Sequence, residues 1–213
     1  MIQAFRNFIT RRTFAYKLRN KAMNMFSSFE NFNLIREKAE ASRRAENRPH
    51  EVLYFHKVDD PYSHLTVHYI DKFKEAYDVQ FKPILVGEEN PAALHEPTLY
   101  TDYCLEDVKR IASYYDVDFP GKSYPDKKLV DKANSILTAV NPDEFGSVAK
   151  TVSHALWSGD LAKLEELEVS YKSSEQEVIE TLKEGNEIRN GCDYYFGSCL
   201  LYTSPSPRDG ILS

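Results

Sequence analysis

The stretch EVLYFHKVDDPYSHLTVHYIDKFKEAYDVQFKPILVG, Glu51 to Gly87, decides the fold. Its first seven residues, EVLYFHK, have the dense apolar content of a buried strand. From Pro61 to Tyr77 the pattern changes, and Leu65, Tyr69, Phe73 and Ala76 fall on one face of a predicted helix. VQFKPILVG then reads as a second strand, and Pro83, which has no N–H to donate, places that strand at an edge or a bulge. The polar residues between strand and helix permit two readings. In an open α/β sheet this turn is where backbone N–H groups and the helix dipole meet a ligand. The same residues also make a well-capped helix start, with Asp60 at the N-cap and Pro61 at the first helical position, a cap worth about 1 kcal/mol.

Downstream, from Glu89 to Asn190, the pattern is helical and rich in charge: YCLEDVKRIASYY, KKLVDKANSILTAV, DEFGSVAKTVSHALW, LAKLEEL and EQEVIETLKEGNEIR, divided by Pro120, Pro125, Asn141-Pro142 and Gly159. Two strands make a marginal sheet, so further strands are expected. The tail CLLYTSPSPRD, Cys199 to Asp209, resembles the translation of a transposon-type sequencing adapter. The natural sequence is therefore expected to stop near Ser198, with residues 199–213 an artefact and the last strands truncated away.

The chain of 213 residues suits one domain or a domain with an insertion, and its 42% hydrophobic content is enough for a core. No run of about 18 apolar residues predicts a membrane span. Cys104, Cys192 and Cys199 have no CxxC spacing, which argues against a disulfide scaffold and a four-cysteine zinc site and favours a reducing, cytoplasmic setting. The net charge of −6 conceals an asymmetry: residues 1–50 hold 11 Lys/Arg and 4 Asp/Glu, the remainder 16 and 29. The first 29 residues carry six Lys/Arg and no acid, with Phe5, Phe8, Ile9, Phe14 and Leu18 at roughly helical spacing. An organelle presequence, an interfacial helix and a basic helix docked on an acidic body all fit this extension. Nucleic acid is not among the expected partners.

EVLYFHKVDDPYSHL, VQFKPILVG, LYTDYCLEDVKRIASYYDVDFP, and ILTAVN followed by ALW, taken in order, resemble the DsbA-like thioredoxin-fold family. The likeness is to its branch of 2-hydroxychromene-2-carboxylate isomerases and kappa-class glutathione transferases, over about Val52 to Trp157 and more loosely Gly185 to Gly197. The resemblance implies an α/β chain with a thioredoxin-like fold. Its first half would be residues 51–88, followed by an all-helical insertion at 89–190 and a return to the thioredoxin-like domain at 191–198. It also implies glutathione, or another small thiol or small-molecule substrate, as ligand, and a homodimer.

In that family the junction carries the active residues, Cys-x-x-Cys in redox members and a Ser-Pro-Tyr-Ser type sequence in the transferase and isomerase branch. Here the four positions are Asp60-Pro61-Tyr62-Ser63. Without either cysteine, dithiol exchange has neither attacking thiolate nor resolving thiol. Asp60 stands where the branch has a serine that donates to the glutathione sulfur; an ionised carboxylate cannot donate and repels a thiolate. Ser63 matches the second serine, and Tyr62 stands where an aromatic can stack on a substrate. Asp60, Tyr62 and Ser63 are thus the catalytic candidates, with Pro61 and Ser63 against a cofactor. In the insertion, Glu106 takes the place of a glutathione-holding Asn, and Lys109 offers positive charge. Asp60, His64 and His68, four residues apart, form the stripe of a competing metal reading, although Leu65 stands where a zincin helix would carry its glutamate base. Three functions follow: a glutathione-dependent isomerase or transferase, a catalytically degenerate thioredoxin-fold binding or interaction protein, and a metal enzyme.

Overall fold

A computed structural model describes residues 17–21, 24, 28–87 and 97–196, so most of the basic extension and the adapter-like tail lie outside the described residues. The chain divides into two compact units, Met1–His50 and Glu51–Ser213. In the first, helix α1 (Phe29–Ala45) starts at Ser28, whose hydroxyl accepts the Asn31 N–H at 3.2 Å. Glu40 receives both Arg43 and Arg44 at 2.8 and 2.7 Å, and these hydrogen bonds pull its carboxyl down to about 2.

The second unit is mostly helical around a small parallel sheet. Strand β1 (Glu51–His56), helices α2 (Pro61–Val67) and α3 (Ile70–Ala76) and strand β2 (Gln80–Leu85) come first. Helix α4 (Pro97–Ala112) follows, ending in a 3-10 turn at Ser113–Tyr115, and then come α5 (Lys127–Thr138), α6 (Phe145–Ser158), α7 (Leu161–Ser170) and α8 (Glu175–Phe196). β1 and β2 pair in parallel, from Glu51 opposite Gln80 to His56 opposite Leu85. The Val86 N–H donates to the His56 carbonyl at 2.9 Å. Because N–H and C=O groups alternate sides along a strand, Ile84 and Lys82 also face β1, and Pro83 points its missing donor outward. The proline therefore costs the ladder nothing, and β2 is an edge strand. By the same alternation the N–H and C=O of Leu53 and Phe55 point outward from β1, and among the described residues no third strand pairs with them.

Two expectations are corrected. EVLYFHK is not buried throughout: β1 exposes Glu51 and Leu53 and buries His56, because only one face of a two-stranded sheet is well covered. The predicted helix 61–77 is two helices, broken at His68 and Tyr69, where hydrogen bonds shorten to Leu65 and Thr66 carbonyls three residues back. The Tyr69 hydroxyl donates to the Tyr115 carbonyl, which ties the break to the 3-10 turn, and Ala76 ends up exposed. Helix α8 runs unbroken past Asn190 to Phe196.

The helix starts follow from side-chain acceptors: Asp126 takes the Lys128 N–H at 2.8 Å, and Asp160 takes the Lys163 N–H at 3.0 Å. At α8, Ser174 and Glu177 form a reciprocal capping box. Gly159, at φ 72°, ends α6 in the left-handed conformation that a side chain would strain. Val67, Ile70, Leu85, Ile136, Phe145, Leu156 and Leu164 form the main core, and Leu65, Val108, Ala112 and Val117 a second cluster between α2 and α4. Trp157 is buried. No helix among the described residues is long and apolar enough to cross a membrane.

Candidate functional site

The junction folds as its capping residues dictate. Asp60 is extended at φ −90° and ψ 122°, and its carboxylate accepts the Ser63 N–H at 2.7 Å. Pro61 occupies the first turn of α2 and is buried, and Ser63 is buried behind it. Burial raises the Asp60 pKa, opposed by hydrogen bonds from the Ser63 side chain and N–H and by the nearby Lys57 ammonium. From β1, the Tyr54 phenol approaches the same carboxylate; burial first, and then the Asp60 charge, push its pKa up. The Tyr54 hydroxyl also lies 3.0 Å from His56 Nδ1, a neighbour two residues on along the same strand face.

Tyr62 turns away from this group toward α4, where its hydroxyl donates to Asp107 at 2.8 Å. Burial, the Asp107 hydrogen bond and the neighbouring Cys104 all raise the Tyr62 pKa, and the Cys104 thiol is itself buried. Glu106 and Lys109, the pair expected to hold glutathione, lie on the exposed side of α4 and bind each other at 2.8 Å. That hydrogen bond also lowers the Glu106 pKa. The structure thus brings Asp60 and Ser63 together and joins Tyr62 to α4, while Glu106 and Lys109 turn to each other.

The Asp60–His64–His68 stripe does not form a metal centre. His64 is fully buried, with Nε2 2.8 Å from the Asp118 carbonyl and Nδ1 2.8 Å from the Ser153 hydroxyl. A carbonyl only accepts, so Nε2 carries the proton and Nδ1 takes the Ser153 proton. Neither nitrogen has a lone pair left for a cation. His64 is instead a strut between α2, α6 and the loop before α5, with His68 at 5.0 Å and Phe119 at 5.3 Å between ring centres. Burial lowers the pKa of His56 to about 3 and of His68 to about 4, and it lowers that of His64 as well. The Nε2 atoms of His56 and His68 are buried with no hydrogen-bond partner.

Sequence reasoning missed the partners that lie far along the chain. Asp107 is 45 residues from Tyr62, and Ser153 is 89 from His64. The Tyr54–His56 pair was visible in principle, as alternate residues on one strand face. No protein-family model matches the chain, and no curated protein matches it.

Proposed function

We propose that this chain is a thioredoxin-like binding or interaction protein in which the junction before α2 serves structure and carries no thiol chemistry. The strand–helix–strand unit followed by a helical segment supports the thioredoxin-like part of this reading. The observation that carries the rest is the Asp60 carboxylate, bound to the Ser63 N–H at 2.7 Å in a half-buried setting. A thiolate brought to this helix start meets a negative charge and no donor, because Ser63 is buried and turned to Asp60. Glutathione therefore does not fit the residues present. Tyr62 is committed to Asp107, and Lys109 to Glu106, so the other expected contacts are occupied from within.

A protein partner is supported by Leu99, Tyr100 and Tyr103 of α4 and by Tyr114 and Tyr115 after it, all exposed. Tyrosine supplies large contact area with a hydrogen-bonding tip, and it is enriched where proteins meet. The test is calorimetric titration of reduced glutathione into the 213-residue chain. No saturable heat is expected at millimolar ligand. Saturable binding that Ser63→Ala weakens restores the glutathione-dependent isomerase or transferase reading.

A further inference from the structure

The sheet has one open edge. The Val86 N–H donates to the His56 carbonyl, so Val52, Tyr54 and His56 turn their peptide groups toward β2, and Glu51, Leu53 and Phe55 turn theirs outward. Among the described residues no strand meets that outward side. The far edge is closed: the Leu85 carbonyl points away from β1, and Gly185 of α8 packs against it. An unpaired row of N–H and C=O groups is a template for another strand, and natural sheets blunt such an edge with proline, charge or a bulge. Between Glu51 and Lys57, β1 carries none of these on its outward-turned residues, which are Leu53, 39% exposed, and the half-buried Phe55.

The sequence of this strand is complementary to itself when reversed. Set antiparallel about Tyr54, Glu51 falls opposite Lys57, Val52 opposite His56 and Leu53 opposite Phe55. Leu53 and Phe55 both turn their peptide groups outward, so each of the two Leu53–Phe55 pairs exchanges two N–H···O bonds. Their side chains share the face that also carries Ile84 and Lys82, so the apolar stripe of one copy runs on into that of the next. At each end Glu51 meets Lys57. Within one copy Glu51 is paired with Lys82 at 2.7 Å and Lys57 with Asp59 at 2.8 Å, so the alignment joins two ion pairs into one row of alternating charge. Neighbouring registers lose this match. Centred on Leu53, the pairing sets Glu51 against Phe55; centred on Phe55, it sets Leu53 against Lys57.

We propose that β1 pairs antiparallel with β1 of a second copy of this chain, with the two-fold axis between the two Tyr54 residues. The contact is isologous, since the same edge serves on both sides and pairing fills it. A strand pair of this length buries little beside the roughly 1,600 Å² of a standard interface, so the dimer is expected to be weak and concentration-dependent. It lies apart from the Asp60 cap and the tyrosines of α4, and it stands or falls independently of the function proposed above.

The experiment is sedimentation of the full chain from micromolar to millimolar concentration, with amide hydrogen exchange at Leu53 and Phe55 followed by NMR at both ends of that range. A monomer–dimer equilibrium is expected, with both amides gaining protection as the dimer forms. Leu53→Pro removes an N–H that makes no bond to β2, so it should weaken the dimer about tenfold or more, the worth of one hydrogen bond lost in each copy, while the urea midpoint of the monomer changes little. Glu51→Lys sets like charges opposite each other at both ends and should also weaken association; combined with Lys57→Glu it restores opposite charges across the contact and should recover most of the loss. If Leu53→Pro unfolds the monomer, the charge reversal decides: recovery in the double variant supports the proposal and its absence overturns it. A chain that stays monomeric to millimolar concentration overturns it as well, and protected Leu53 and Phe55 amides in that monomer would assign the edge to another segment of the same chain. A dimer that both Leu53→Pro and Glu51→Lys leave intact lies elsewhere on the surface and equally overturns it.

Discussion

Asp60 carries a carboxylate where neighbouring side chains have displaced much of the water, and the cap it makes must outweigh the cost of holding that charge there. The net raised pKa says that the hydrogen bonds of Ser63 do not fully offset desolvation. Removing the acceptor and removing the charge should therefore differ. Asp60→Ala loses the bond to the Ser63 N–H and is expected to cost about 1 kcal/mol. Asp60→Asn keeps an acceptor at a position where Asn and Asp rank alike, and it carries no charge to desolvate. The folded-state pKa lies above the unfolded value, so the parent chain holds its extra proton only at low pH and loses that advantage as pH rises. The Asn variant is thus expected to be at least as stable as the parent at neutral pH, with the difference growing from acid to neutral. Urea midpoints at several pH values measure it; an Asn variant that weakens relative to the parent as pH rises would sink this account. The roles of Asp60 and Pro61 are legible in the sequence alone, because a cap is a local device read from adjacent residues. The burial that raises the Asp60 pKa is not, since Tyr54 and the packing of α2 bring it about.

The helix α8 is held against the sheet through a single missing side chain. A Cβ on Gly185 would lie 1.9 Å from the Leu85 carbonyl oxygen, and backbone on both sides leaves little room to yield. Two effects compete in Gly185→Ala. Alanine favours the helix by about 1 kcal/mol over glycine, while forcing a methyl group into this contact costs roughly 1–3 kcal/mol and shifts α8 off β2. The clash should win, so the variant is expected to be less stable despite its better helix propensity. A melting temperature at or above that of the parent would show that α8 can slide without loss. The existence of these helices is written in apolar spacing and in caps such as Asp126, Asp160 and Ser174. Their lengths are not. The break at His68–Tyr69 depends on a hydrogen bond to Tyr115, 46 residues from Tyr69, and no periodicity within the helix itself announces it. The continuation of α8 past Asn190 is hidden by Gly191, a residue that reads as a stop yet sits within the helix.

At the scale of the whole second unit, two buried histidines, His56 and His64, and the half-buried His68 tie stability to pH. Folding lowers the pKa of His56 to about 3, so between there and its ordinary value near 6.5 the unfolded chain binds a proton that the folded chain refuses. Stability is then fully present above about pH 6.5 and lost as pH falls, with a slope approaching about 1.4 kcal/mol per pH unit from His56 alone. His64 acts in the same direction, and the more exposed His68 adds a smaller share. Denaturant unfolding at about pH 7, 6 and 5 should show this decline; a flat stability across that range would contradict it. None of this follows from the spacing of the histidines, which suggests a shared cation, because only the partners Ser153 and Asp118 reveal His64 as a neutral strut. The sheet carries a different kind of consequence. β1 turns complete peptide groups outward at Leu53 and Phe55, whereas the outer side of β2 is interrupted at Pro83. The sheet therefore has a valence of one. It can accept a strand through β1, but the assembly cannot propagate from the proline side, so two copies joined edge to edge would form a closed ribbon and not the start of a fibril.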